Sequence, residues 1–254
     1  MQENTKTHVG VVGVGYLGAH HLAQYKKFEN INLVGCYDVN SQTLDDIKKK
    51  YDVQAFQSLG ELLSFCDAVS IVTPTITHFD VAKQAISSGC HVLIEKPITY
   101  NVNEASELLK LAIKNNKIIQ VGHIERFNPA FCALKNNGKN PLFVEAHRIA
   151  PFNMRGTDVD VILDLMIHDI DILLSLVKSR ICDVRASGVS VLSETFDTAS
   201  ARIEFENGCV ANLTASRIAN KKIRKFRFFE KNSYTTIDFL NPSIETYSLS
   251  NTKP

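Results

Sequence analysis

Six residues near the start of the chain, Gly13-Val14-Gly15-Tyr16-Leu17-Gly18, constrain its fold more than any other stretch. They follow the apolar run Val9-Gly10-Val11-Val12 and open a helical stretch. A Gly-x-Gly-x-x-Gly run at a strand-to-helix junction permits a tight turn, a close approach of backbone to pyrophosphate, and close packing of helix on strand. The helix N-terminus then offers N–H groups and a positive dipole end to phosphate. Gly13, Gly15, Tyr16, Leu17 and Gly18 are therefore candidate cofactor-binding residues. The spacing gains its meaning from the next strand. Ile31 to Tyr37 is that strand, and Asp38 ends it 20 positions beyond Gly18. An acid there accepts from a ribose 2′-hydroxyl and repels a 2′-phosphate, which predicts NAD over NADP. The alternative is a plain turn residue before Asn40.

Strand and helix go on alternating. A polar helix near 41–50 is followed by a short strand at 53–56 and a short helix at 59–65. Ala68 to Val72 is a further strand, a helix over 79–88 ends at Gly89, and His91 to Ile94 is the next strand. A helix over 102–115 starts at Asn101 and Glu104, which have capping-box spacing, and Lys117 to Gly122 closes this half. The alternation predicts a parallel sheet covered on both faces. Ligands bind such sheets at the carboxyl ends of the strands. Thr73, Pro74, Glu95 and Lys96 all stand there and join the cofactor candidates. Pro97 biases Lys96 toward an extended backbone. His78 either touches the cofactor or simply opens a helix. Lys96 read alone is better taken as a surface lysine ending a strand, and the rest of the sequence reverses that.

The second half changes character. A helix of about ten residues is expected up to the turn Asn136-Asn137-Gly138, and Leu142 to Ile149 alternates as a strand does. From Ala186 on the chain reads as strands, with a hairpin at Asn207-Gly208 and a second turn at Lys231-Asn232-Ser233. The fold class is thus α/β plus α+β. An N-terminal Rossmann dinucleotide-binding domain over 1–124 precedes a mostly antiparallel sheet-and-helix domain over 125–254, expected to bind substrate and to pair copies into a homodimer or homotetramer through its open sheet. One long helix, 158–177, is apolar nearly all round and should be buried. Asp160, Asp164, His168, Asp171 and Ser175 nevertheless form one stripe on it. A carboxylate one turn from an imidazole orients it and raises its basicity, which suits Asp164 and His168 to general-base work. The bland alternative is a satisfied buried polar network. Lys221 to Arg227 is a local positive cluster, either a charged edge strand or a phosphate contact. Lys222, Arg224, Arg148 and Arg155 are the substrate-binding candidates on the second reading.

Bulk properties exclude several classes. A net charge of +1 over 254 residues gives no global field for nucleic acid or a membrane surface. The six cysteines form no Cys-x-x-Cys pair, which argues against a metal site or a disulfide framework and fits reduced thiols in a cytoplasm. Segment 158–177 carries too many aspartates to span a membrane.

Together, the Gly13–Gly18 turn, Thr73-Pro74 with His78, Glu95-Lys96-Pro97, Gln120-Val121-Gly122 through Arg126-Phe127-Asn128-Pro129, and Asp164-x-x-x-His168 resemble the glucose–fructose oxidoreductase / inositol dehydrogenase / MocA family. The resemblance implies that Lys96, Asp164 and His168 stand against the nicotinamide as catalytic residues and that Arg126 contacts the cofactor. Members oxidise a secondary hydroxyl of a sugar or cyclitol, or reverse that reaction. Arg155 through Asp171, with Gly208 through Arg217, resembles the bacterial UDP-N-acetylglucosamine 3-dehydrogenase group, which makes a 3-keto sugar nucleotide on the way to lipid A. That implies a sugar-nucleotide substrate, with His168 as base, Asp164 orienting it, and Lys96 stabilising the developing alkoxide or taking the proton itself. A dehydrogenase of a free sugar or inositol, or a redox-inactive NAD-binding sensor, are the alternatives. Two departures stand out. Asp158-Val159-Asp160-Val161 replaces a glycine-rich lead-in, and the chain stops at Pro254 where members run several elements longer, so a shortened second domain is expected.

Overall fold

The alternating half builds one parallel sheet. In the computed structural model, which describes residues 6–134, 139–153 and 159–249, contacts divide the chain into two units, Met1–Gly122 and His123–Pro254. In the first, β1 (Thr7–Val12), β2 (Ile31–Tyr37), β3 (Ala68–Ile71), β4 (His91–Ile94) and β5 (Ile119–Val121) run parallel in the order β2-β1-β3-β4-β5. Between them lie α1 (Tyr16–Tyr25), α2 (Ser41–Tyr51), α3 (Leu59–Leu63), α4 (Thr75–Ser87) and α5 (Val102–Lys114). Successive strand residues point to opposite faces. Val11 accordingly packs with Leu22 of α1 and Leu44 and Ile47 of α2, whereas Val12 joins Leu62, Ile86 and Leu108 of α3, α4 and α5.

Three helix starts follow directly from side chains. Asn40 accepts from Thr43 N–H, Ser58 from Glu61 N–H and Asn101 from Glu104 N–H, each meeting a donor the helix leaves unpaired. One expectation is corrected and another refined. The strand at 53–56 is only an isolated bridge between Cys36 and Ala55, because just two backbone bonds, Cys36 N–H to Gln54 and Phe56 N–H to Cys36, join it to β2. Cover on the two faces is also unequal. Over β4 and β5 the α1 face carries a half-buried Leu93 and an exposed Gln120.

The second unit opens with a 3-10 turn, Ile124–Phe127, and α6 (Pro129–Leu134). Its sheet comprises β6 (Phe143–Ile149), β7 (Ile181–Val189), β8 (Thr198–Phe205), β9 (Val210–Ser216), β10 (Ile223–Glu230), β11 (Ser233–Asp238) and β12 (Ser243–Ser248), in the order β12-β11-β10-β6-β9-β8-β7. All neighbours are antiparallel except β6 and β9. The hairpin turns carry Gly208 at φ +85 and Asn232 at φ +67, the left-handed geometry that tight hairpins need. α6 ends at Leu134, and the turn Asn136-Asn137-Gly138 lies outside the described residues. The first strand after the long helix begins at Ile181, ahead of the Ala186 start expected. β10 is interior, between β11 and β6, so its basic run is not a charged edge strand.

The long helix also departs from expectation. It is a π turn, Ile162–Met166, running into α7 (Ile167–Leu176). Asp160 lies before it and caps it, accepting from the N–H groups of Ile162 and Leu163 at 3.0 Å each. The lead-in is pinned by Arg217 of the segment after β9, whose Nη1 donates to the Val159 carbonyl at 2.9 Å. Arg217 is held in turn by Asp197, which also accepts from the N–H groups of Val191, Leu192 and Ser193.

Burial alone would push the Asp197 carboxyl up, but the Leu192 and Val191 N–H groups, the Ser193 hydroxyl and Arg217 outweigh it and hold it well below the usual carboxylate range. A carboxyl depressed on folding adds stability that is present above its unfolded value of about 4 and is lost as pH falls toward the folded one. Asp197→Asn should therefore lower stability at pH 7 and flatten its decline below about pH 4. Urea melts across pH check this. Parallel acid slopes for the two proteins would contradict it.

Candidate active site

In the first unit the glycines make a cradle. Gly13 stands at φ +82, and a Cβ there would lie 2.7 Å from the Val72 carbonyl oxygen. A Cβ on Gly18 would overlap the Gly13 carbonyl. Gly15 is different, because a Cβ there would meet nothing within 4 Å. That open space lies at the start of α1, where no side chain caps the helix and no acid occupies its first turn. Tyr16 and Leu17 are exposed beside it. Such an uncapped helix end with room above its glycine fits a pyrophosphate.

Asp38 leaves the end of β2 and reaches back to this turn. Its Oδ2 accepts from Val14 N–H at 2.8 Å and its Oδ1 from Asn40 N–H at 2.9 Å. A carboxylate has about four acceptor sites, so two backbone bonds fix it and leave capacity for a ribose hydroxyl. Across the sheet, Thr73 follows β3 and accepts from the Thr77 hydroxyl at 2.8 Å, and the exposed Pro74 precedes α4.

Lys96 follows β4, half-buried, with a cis bond to Pro97. Glu95 is buried; its Oε2 accepts from Lys96 N–H at 3.3 Å and its Oε1 lies 3.2 Å from His21 Nε2. His78 does not offer its ring to a cofactor. It is 1% exposed, with Nδ1 2.8 Å from the Pro97 carbonyl oxygen and Nε2 2.8 Å from that of Thr73.

The second unit carries the other candidates. Asp164 lies in the π turn and His168, four residues on, in the first turn of α7; both are half-buried. π turns inside helices occur frequently at functional sites. Asp171, one turn further, grips Arg126 with both oxygens, its Oδ2 accepting from Nε at 2.6 Å and its Oδ1 from Nη2, and lies 4.0 Å from His123 Nε2. The bond to Asp171 raises the Arg126 guanidinium further.

Arg148 is corrected as a substrate contact. It is 2% exposed and donates through Nε and Nη2 to both oxygens of Asp169, at 3.0 and 2.9 Å, and through Nη1 to Glu125 at 3.3 Å. Burial works against its charge, yet Asp169 and Glu125 outweigh that and raise it. Arg224, beside Arg148 in the sheet register, is half-buried with Nη1 3.5 Å from Glu125, and Lys222 is exposed just before β10. Arg155 lies outside the described residues.

The polar residues that pattern reading missed are His21, Glu125 and Asp169. A signal existed for His21, three positions beyond Gly18 on the same helix. For Glu125 and Asp169 none did, because their partner Arg148 is over twenty positions from either. Among the described residues no cluster of His, Cys, Asp and Glu could hold a metal ion. The six cysteines are free, and burial pushes Cys36 up to about 11 and Cys66 up to about 12, far from thiolate at neutral pH.

Two family models match this chain. "Oxidoreductase family, NAD-binding Rossmann fold" covers residues 7–123, and "GFO/IDH/MocA C-terminal domain" covers 144–232. The chain belongs to the Gfo/Idh/MocA family. It is an NAD-binding oxidoreductase, and its glycine cradle and Asp38 fit that cofactor. The UDP-N-acetylglucosamine 3-dehydrogenase of Acidithiobacillus ferrooxidans is 42% identical over 239 residues, 94% of this chain and 76% of that protein. Its solved structure superposes with a TM-score of 0.91 over 96% of this chain and 80% of that one, at 41% identity. The scyllo-inositol 2-dehydrogenase (NAD(+)) of Bacillus subtilis is 32% identical over 82% of this chain and 66% of that protein. The apo scyllo-inositol dehydrogenase of Lactobacillus casei, 22% identical with a TM-score of 0.80 to 0.81, shares the fold.

Asp38 sets an expectation for cofactor choice. Replacing it with Ser removes the charge that would repel a 2′-phosphate, so preference for NADH over NADPH should fall by about tenfold or more, about 1.4 kcal/mol. Fluorescence titration with each reduced cofactor measures this. An unchanged preference would remove Asp38 from the ribose site.

Proposed function

We propose that this chain oxidises the 3-hydroxyl of UDP-N-acetylglucosamine to the 3-keto sugar nucleotide, with NAD as hydride acceptor. The observation that carries the reading is the 42% identity to a UDP-N-acetylglucosamine 3-dehydrogenase across 94% of this chain. Bound NAD supplies the acceptor for hydride. His168 takes the hydroxyl proton, oriented by Asp164 one turn before it. The Lys96 ammonium bonds the reacting oxygen and stabilises charge developing on it. Lys222 and Arg224, the described substrate-binding candidates that remain once Arg148 is committed to Asp169, would meet the substrate diphosphate. Six free cysteines suit a reducing cytoplasm, and no helix among the described residues is long and apolar enough to cross a membrane.

The purified protein with NAD and UDP-N-acetylglucosamine should yield NADH absorbance once the ketone is trapped. Glucose and myo-inositol should yield none. NADH from inositol alone would move the reading to a cyclitol dehydrogenase, and no NADH from any sugar, with NAD bound, would favour a sensor. His168→Ala should lower kcat by about 100-fold or more with NAD affinity retained. Unchanged turnover would remove His168 from the chemistry.

We also propose that copies pair through the second sheet. Tilted or stacked rings run across it from Phe143 to Phe229, Tyr234 and Tyr247, with centroids 5.9, 5.7 and 5.0 Å apart. Phe143, Phe229, Tyr234 and Tyr247 are all at least partly exposed. Light scattering should give two or four times the 28.3 kDa of one chain. A mass of one chain at micromolar concentration would dismiss the pairing.

A further inference from the structure

The residues on either side of Lys96 are each held by a histidine from a different helix. On one side, His21 of α1 places Nε2 3.2 Å from Glu95 Oε1. The other oxygen of that carboxylate accepts the Lys96 backbone N–H at 3.3 Å. Gly122 leaves the space this carboxylate occupies, because a Cβ there would stand 2.9 Å from its carboxyl carbon and both oxygens. On the other side, His78 of α4 is wedged between the Pro97 and Thr73 carbonyl oxygens, with Nδ1 and Nε2 each 2.8 Å from one of them. Both rings are largely shielded, with the His21 side chain 16% exposed and His78 1%.

We infer that His21 and His78 are positioning residues that clamp the Glu95–Lys96–Pro97 segment from both sides and so set where the Lys96 ammonium stands. His21 acts from the helix whose N-terminus lies at the glycine cradle, so the lysine and the cradle are fixed to one piece of structure. Neither histidine presents itself as a group that touches substrate. A reacting group must be held to about half an ångström by its supporting residues, and a misplacement of about 1 Å costs on the order of 100-fold in rate. This inference rests on the reading that Lys96 serves the reaction, but the clamp itself can be tested apart from any sugar.

The decisive variants are His21→Ala and His21→Gln, since the glutamine amide can donate to Glu95 from nearly the same place as Nε2. The rate at which dilute acetic anhydride acylates Lys96, relative to the exposed Lys49, is measured by peptide mass spectrometry; kcat, KM and NADH affinity are measured alongside. His21→Ala should change the relative acylation of Lys96 by about threefold or more and lower kcat by about 10- to 100-fold. KM and NADH affinity should stay within about twofold of the native protein, and His21→Gln should restore both altered quantities. Glu95→Gln provides a second route should His21→Ala fail to fold. It should reproduce the acylation change, because it weakens the same contact from the other partner. Unchanged Lys96 acylation in all variants would overturn the clamp. A kcat loss in His21→Ala that glutamine does not restore would do so as well. If the native protein oxidises no sugar nucleotide, the substrate reading fails, while the acylation ratios still decide the clamp.

Discussion

The first unit depends on one close approach of backbone to backbone. Where α1 leaves β1, Gly18 sits so near the Gly13 carbonyl that no side chain fits, and Gly13 itself lies against the backbone of Val72 in the left-handed region. This packing draws the start of α1 down onto the carboxyl edge of the sheet. Asp38 can then reach the turn at Val14, and His21 can reach Glu95. Were α1 lifted by the width of a methyl group, both bonds would lengthen beyond use. The glycines therefore shape the backbone beside Lys96 as well as the turn at the start of α1.

The second unit depends on buried charge. Arg148 with Asp169 and Glu125, and Arg217 with Asp197, lie almost wholly out of water. Removing one partner from such a pair costs about 3–5 kcal/mol, because the other charge is left stranded. A whole domain is stable by only about 5–15 kcal/mol. An arginine so committed cannot be diverted to a substrate phosphate, which is why Arg148 leaves the set of ligand candidates and the more exposed Lys222 and Arg224 remain. The same arginines secure the helix that carries Asp164 and His168. Arg217 holds the carbonyl of Val159 just before it, and Arg148 holds Asp169 just after His168.

Local signals were legible where the physics is local. The glycine turn, the cap at Asn101 and the Asn207-Gly208 hairpin need only a few adjacent residues, and each has its expected form. Legibility failed where the outcome turns on distant partners. The pattern of 221–227 gives no hint that β10 lies between β11 and β6. The aspartate stripe on the long helix read as one polar face, yet Asp160 caps the helix, Asp171 grips Arg126, and the buried Asp169 lies off the stripe altogether.

Residue order alone determined the alternating first half, the place of the acid Asp38 at the end of β2, the rim position of Lys96 and the one-turn spacing of Asp164 and His168. Each is set by period, spacing and strand ends, which a linear pattern carries. Tertiary structure decided which charges are spent on the fold. Whether an arginine faces solvent or a buried carboxylate depends on residues brought near from far along the chain, as Arg148 is to Asp169 and Arg217 to Asp197. It also decided what holds Lys96, since His21 and His78 lie 75 and 18 positions before it and meet its neighbours only when α1 and α4 are laid against the sheet.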